Sequence, residues 1–450
     1  MNRRDFLGTL AAGALTAPSL AAGQPQAGWK AGVARVDITP ERSLWMAGFA
    51  RRKQPSQGTA MPLYAKALAL RAGSGRAAVL VTTDLLGVTS RITDRVSAAV
   101  RRRHGIRRED VLLNASHTHC GPVVDEQLSV AYDLSPEQWA ATRAYTSHLE
   151  EKLIRAIGQA VSGLAPARLT YARGEATFAA NRRVKFTPEG PVDHSVPLLR
   201  VDDANGAPVA LVFGYACHNT TLGDGFVQYH GDYAGVAQAD LERRHRGTTA
   251  LFVAGCGADA NPRPRGTLEL VQAHGEALAD AVDRVLGQGT PLAPVLRTNY
   301  RTVGLPFTAE PERERWRKSL EIEPVYLQRH ADLMKTIVAR EGRLPVAQPI
   351  PIQVWQIGAD LSLVALGGEV VVDYALRLAR EYSKRQMWVA GYSNDVFGYV
   401  PSTRVLREGG YEGGDAMIYY GRPAPFTDAV EELIVGTVRE SMARTGGSSA

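Results

Sequence analysis

The 450-residue sequence has only three cysteines, Cys120, Cys217 and Cys256. An odd number cannot all pair, so at least one is left without a disulfide partner. No C-x-x-C spacing occurs, which excludes a structural zinc knuckle. The cysteines read as small buried residues at strand ends. A Cys120–Cys217 bridge is left open, because spacing alone cannot decide it. Beyond the N-terminal segment, no stretch approaches the roughly 18 apolar residues of a membrane span. No Lys/Arg block is interleaved with aromatics, which argues against a nucleic-acid partner. Arg101–Arg103, with Arg107 and Arg108, reads as a solvated helix end. No internal repeat is present.

What remains is ordinary globular composition: 45% hydrophobic, 22% charged and a net charge of +6. The mild basicity is compatible with an anionic ligand or with peripheral contact at a membrane surface. Arg3 and Arg4 precede an apolar run from Thr9 to Leu20 and the small residues Ala21–Gly23. This is the order of a cleavable export signal, and the paired arginines predict the twin-arginine type over residues 1–26. The mature chain is then expected in the periplasm or outside the cell.

Short apolar runs alternate with longer helical patterns. This predicts an α/β fold with a mixed β-sheet core flanked by helices, in a single catalytic domain over residues 27–444. Residues 310–343 are dense in charge and predict a helical insertion, either a lid or partner surface or a solvated hairpin. The Gly/Ser-rich residues 445–450 predict a disordered tail.

Several strand exits carry chemistry. Val111–Ser116 runs into His117 and His119. On a strand, positions i and i+2 share a face, so two imidazoles can converge on one metal. Alternatively one binds and the other handles protons, or both are hydrogen-bonded structural histidines. A second strand ends at Cys217-His218. A third leads into Gly255–Pro262, where Asp259 is read as a second-layer partner of a metal-bound histidine or as a turn residue. Asp232 reads as a helix cap or a metal-supporting carboxylate. Glu369 follows a buried strand and two glycines; ligand, general base and helix start all fit it. The segment around Tyr399 and Tyr411 is Gly- and Tyr-rich and by itself indicates only packing.

In their order and spacing these segments resemble the neutral/alkaline non-lysosomal ceramidase family. The resemblance rests on Gly32–Pro40, Ser116–Pro122, Asn181-Arg182, Ala216–Leu222, Gly231–Gly235, Gly257–Pro262, Gly368-Glu369 and Tyr399 through Glu412. It implies one Zn2+ held by His117, His218, Glu369 and Tyr399, with catalytic positions at His119, Arg182 and Tyr411. It also implies hydrolysis of an N-acyl amide bond by a metal-activated water, with ceramide cleaved to sphingosine and fatty acid. Two alternatives stand beside this: the same zinc centre acting on a non-sphingolipid substrate, and a zinc-stabilised exported protein without catalysis. In either enzymatic reading the partner is a small-molecule or lipid substrate. The sequence departs from the family at two positions. Asn261 stands where a serine considered catalytic is found, which removes support for a serine nucleophile. Arg183 replaces a serine beside Arg182, which is expected to alter the pocket rim. The sequence also ends before the C-terminal β-sandwich-like domain of full ceramidases, which puts bilayer docking in doubt.

Overall fold

The computed structural model describes residues 28–446; the expected export signal at residues 1–26 and residues 447–450 of the expected tail lie outside the described residues. The larger sheet has eight strands in the spatial order Val111–Ala115, Ala77–Thr83, Tyr64–Ala72, Trp29–Asp37, Ala165–Glu175, Ser195–Asp203, Pro208–Tyr215 and Thr249–Ala254. A ninth, Thr290–Pro291, pairs with Ala165–Glu175. The pairings at both ends of this order are parallel and the others antiparallel, so the sheet is mixed. A second sheet has the order Leu296–Pro306, Ala347–Ile357, Leu361–Leu366, Gln386–Ala390.

The two sheets pack face to face through one apolar layer. Leu68, Leu80, Leu112 and Val212 of the first meet Trp355, Leu363 and Trp388 of the second. Successive side chains of a strand point to opposite faces, so each sheet needs a second cover. Helices supply it. Ser90–His104 and Pro136–Ser162 cover Ala67, Val79 and Leu113 at one end of the large sheet. Asp232–Arg244 and Leu268–Val285 cover Leu211, Phe213 and Phe252 at the other. Asp373–Glu381 and Val430–Thr445 cover Ile352, Val354 and Val364 of the small sheet.

The helices start where the sequence places capping residues. Ser135 accepts from the Gln138 amide while the Gln138 side chain accepts from the Ser135 amide, and Pro136 fills the first turn. Thr89 caps Ser90–His104, and Gly105 ends it in the left-handed region. The longest strand to escape sequence reading is Leu296–Pro306, an edge strand carrying Arg, Thr and Asn and mostly half-buried, so its apolar run is too thin to register.

Carboxyl ends of strands from both sheets meet at one edge of the sandwich. Buried Asn114 joins them there: its Nδ2 donates to the Gly391 carbonyl at 2.8 Å and its Oδ1 accepts from the Ala254 amide at 2.9 Å. Ligand sites gather outside the carboxyl ends of strands in α/β sheets, and the histidines named above lie there.

Candidate metal centre

His117 follows the strand that ends at Ala115. Its backbone has φ 60°, a left-handed conformation uncommon for a residue with a side chain. The strand periodicity that predicted His117 and His119 on one face therefore does not apply, since the strand has already ended. The turn, rather than the pleat, aims both rings inward. His119 is held between Phe49, with ring centroids 4.7 Å apart, and Gly48, where a Cβ would sit 2.3 Å from its Nδ1. His218 leaves Pro208–Tyr215 in the same direction.

Two of the imidazoles have fixed tautomers. His117 Nδ1 lies 2.7 Å from the Leu86 carbonyl and His218 Nδ1 lies 2.9 Å from the Gly257 carbonyl. A carbonyl oxygen only accepts, so each Nδ1 carries the proton and each Nε2 presents a lone pair. Gly257 allows this approach, since a Cβ there would sit 2.3 Å from the Cys217 amide nitrogen. Both Nε2 atoms face Glu369 Oε2, at 3.1 Å from His117 and 3.2 Å from His218. The Tyr399 hydroxyl lies 3.2 Å from His218 Nε2, and His119 Nε2 lies 3.2 Å from His117 Nε2.

The Nε2 atoms of His117 and His218 and the Glu369 carboxylate are acceptors aimed at one another, and buried Glu369 Oε2 receives no hydrogen bond. Lone pairs converge in this way around a cation. A tetrahedral ion with bonds of about 2.0 Å has donor atoms about 3.3 Å apart, close to the spacing seen. The ligating nitrogens of His117, His119 and His218 lie within 4.8 Å of one another. The residues present therefore fit a divalent metal. His119 differs from the other two, because its buried Nδ1 has no hydrogen-bond partner and no carbonyl fixes its tautomer.

A two-residue pairing places the oxygen donors. Glu369–Val370 runs parallel to Tyr399–Val400, with Glu369 directly opposite Tyr399. Sequence reading missed Tyr420, whose hydroxyl donates a short hydrogen bond to Glu369 Oε1. It also missed Tyr392, whose ring packs 4.3 Å from that of His117. Five of the sixteen tyrosines fall between 392 and 420, and that density is the only signal that could have marked them.

Arg182 sits above the centre. Its Nη2 donates to the Tyr399 hydroxyl at 2.9 Å, its Nε to Glu412 at 2.6 Å and its Nη1 to Asn261 Oδ1 at 3.4 Å. Asn261 is thus an acceptor for Arg182. Tyr411 is 44% exposed at the cavity mouth, its ring 5.3 Å from that of Tyr399. Arg183 is not at the rim. It is buried and pairs with Glu408 and Glu412, which ties down the segment that carries Tyr411. Asp259 touches no histidine. It accepts from the Val372 amide at 2.9 Å and from Asn181 Nδ2 at 3.1 Å, and so braces the chain on either side of the site. Asp232 accepts from the Thr221 and Leu222 amides and holds the loop after His218. All three cysteines are buried free thiols.

The centre opens into a cavity of about 380 Å3 lined by His119, Glu369, Tyr399, Tyr411, Phe49 and Tyr326. Tyr326 belongs to the charged segment, which forms two helices, Glu310–Ser319 and Pro324–Glu341. The segment is therefore more than a solvated hairpin, because its turn and first residues form one wall of the cavity.

Burial, with the charge of Arg182, brings His218 down to about 4. Burial and the neighbouring imidazoles hold His119 well below the usual histidine range. Burial opposes the Glu369 carboxylate, but the imidazoles of His117 and His218 outweigh it and keep its pKa well below the ordinary value. At neutral pH His119 and His218 are therefore neutral imidazoles and Glu369 is a carboxylate, the forms that bind metal.

Away from the centre, burial also lowers His230 and His330 to about 4. Between that value and the unfolded value of 6.5, the unfolded chain binds more protons than the native one. Stability therefore rises with pH across this window and is lost as pH falls from about 6.5 towards 4. Each histidine contributes at most on the order of 3 kcal/mol. Asp259 and Asp395, raised to about 6 by burial, act in the opposite sense. The decisive comparison is therefore His330→Gln, which retains a donor for the Arg422 carbonyl. Urea midpoints at pH 5 and 7 should differ less in this variant than in the parent, and equal differences would refute the assignment.

Fold and site together define an α/β protein with a buried histidine-based centre able to hold a metal. The family model "Neutral/alkaline non-lysosomal ceramidase, N-terminal" matches residues 29–263, more than half of the chain. The chain belongs to this family. Among curated relatives, neutral ceramidase A of Dictyostelium discoideum is 24% identical over 265 residues, covering 53% of this chain and 36% of the relative. Neutral ceramidase B of the same organism is 25% identical over 261 residues, with the same shares covered. The match thus spans about a third of the length of these relatives. Among solved structures, the neutral ceramidase from Pseudomonas aeruginosa superimposes with a TM-score of 0.74 at 20% identity, over 93% of this chain and 75% of that one. A ceramidase complexed with C2 gives 0.72 at 19% identity, over 94% and 76%. These structures share the fold. No helix among the described residues is long and apolar enough to cross a membrane.

Proposed function

We propose that this protein is an exported zinc-dependent amidohydrolase that cleaves an N-acyl amide bond, with ceramide-like N-acyl amines as the substrate class. The observation that carries the reading is the convergence of two tautomer-fixed Nε2 atoms and an unbonded carboxylate oxygen in a closed site beside an open cavity. His117, His218, Glu369 and Tyr399 would hold the metal. When bound, zinc polarises a carbonyl and lowers the pKa of water towards about 7.

The remaining steps belong to the chain. Arg182, fixed by Glu412 and Asn261, presents its guanidinium beside Tyr399. It can donate to the oxygen on which charge develops, and Tyr411, whose ring lies 5.7 Å from that guanidinium, can donate beside it. His119 can take a proton from the attacking water and pass it to the leaving amine, because no carbonyl holds its Nδ1. Phe49, Leu86 and Leu128 line the cavity and supply apolar surface for an acyl chain.

The test is metal removal followed by readdition, with hydrolysis measured on a panel of N-acyl sphingoid and N-acyl amine substrates. Activity should vanish with chelation and return with one zinc per chain, while the fold remains. Turnover that persists in the fully stripped protein would defeat the zinc reading. Failure on every sphingoid substrate, with turnover on other amides, would move the assignment to a non-sphingolipid substrate.

A further inference from the structure

The cavity beside the metal centre shares part of its wall with a neighbouring one. Ala50, Ala131 and Tyr326 line both this cavity and a second lobe of about 480 Å3. The Tyr326 hydroxyl donates to the Ala50 carbonyl at 3.1 Å and forms the step between them. The second lobe is bordered by Arg52, Lys53 and Arg329 against a single carboxylate, Asp133, which pairs with Arg329 at 3.0 Å.

Arg52 is the informative member. It is 4% exposed, and its guanidinium donates to the carbonyls of Ala47 at 2.6 Å, His119 at 2.7 Å and Phe226 at 3.3 Å. All three acceptors are neutral, and no carboxylate pairs with it among the described residues. A buried cation satisfied only by neutral groups keeps its charge uncompensated. Burial lowers its pKa accordingly. The contact with the His119 carbonyl puts this charge next to the reacting centre. Val325 and Trp45 give the same lobe apolar surface.

We propose that the second lobe is a subsite for an anionic group, a carboxylate or phosphate, carried on a short apolar stem several bonds from the scissile amide. This rests on the amidohydrolase reading and narrows its substrate class. Lys53 and Arg329 would contact the oxyanion directly, since ammonium and guanidinium groups form charge-assisted hydrogen bonds with such oxygens. Arg52 would act behind them through its field.

Two measurements test the subsite. The first is calorimetric titration of the purified protein with glutarate and, separately, inorganic phosphate, at ionic strength balanced with chloride. One saturable site is expected for at least one of the two, and the arms show whether carboxylate or phosphate is preferred. Binding should weaken roughly tenfold or more in Lys53→Gln/Arg329→Gln, with Lys53→Gln alone as a milder check on folding. The second compares kcat/KM for an N-acyl amine whose acyl chain ends in a carboxylate with that for its methyl ester. The acid should be favoured by about tenfold, and the ratio should fall towards one in the double variant. No saturable binding, or binding and ratio unchanged in the double variant, overturns the subsite. Saturable binding with no hydrolysis of any amide would sustain the subsite and defeat the hydrolase reading. Hydrolysis with no anion binding would do the reverse.

Discussion

Glu369→Ala is expected to reduce bound zinc from one per chain to a small fraction and to lower kcat/KM by about 10³-fold or more. Glu369 is the one anion among the converging atoms. Its Oε2 lies within 3.2 Å of both tautomer-fixed Nε2 atoms. Removing it leaves lone pairs without a counter-charge for a divalent ion, and a factor of 10³ corresponds to about 4 kcal/mol of lost transition-state stabilisation. Tyr420→Phe should give a graded version, with metal affinity down about 10- to 100-fold, because it removes only the donor to Glu369 Oε1. Elemental analysis and chelator competition would measure both. A Glu369→Ala protein that keeps a full equivalent of tightly held zinc would show that the centre lies elsewhere.

Arg182→Met should lower kcat by about 10²- to 10³-fold, the usual range for loss of one preorganised donor to a developing oxyanion, with zinc content retained. Methionine preserves much of the length and removes every donor. Glu412 is not left alone, since Arg183 still pairs with it. Arg182→Lys should fall between the parent and methionine. A single ammonium cannot reproduce the simultaneous bonds to Glu412, Asn261 and Tyr399. Because Arg182 donates to the Tyr399 hydroxyl, zinc must be assayed in the same samples. Parallel loss of metal and turnover would assign Arg182 to holding Tyr399 in place, and unchanged kcat would remove it from the reaction.

The sequence marked the neighbourhood of the centre unevenly. His117, His119 and His218 stood out because buried strands end just before them, and that signal is local. Glu369 stood out through its two preceding glycines. Tyr399 was reached by family resemblance alone, since a tyrosine in a Gly-rich loop carries no pattern of its own. Tyr420 and Tyr392 gave no signal, because their roles exist only relative to Glu369 and His117. Arg183 was expected to alter the pocket rim, and the nearby Glu408 and Glu412 instead draw its guanidinium into a buried ion-paired cluster. Asp259 was read towards a histidine and instead accepts from Val372 and Asn181.

By itself the sequence determined the class of fold and the faces of its elements. Periods of 2 and 3.6 in apolar residues reflect which side chains leave water, and that choice is made within a few residues. The tertiary structure decided the chemistry. The left-handed turn at His117 aims its ring inward where strand periodicity would not. A two-residue pairing sets Glu369 opposite Tyr399. Face-to-face packing of two sheets brings strand ends more than a hundred residues apart to one edge. No local pattern encodes these, because each depends on the simultaneous position of segments that interact only after the chain has packed.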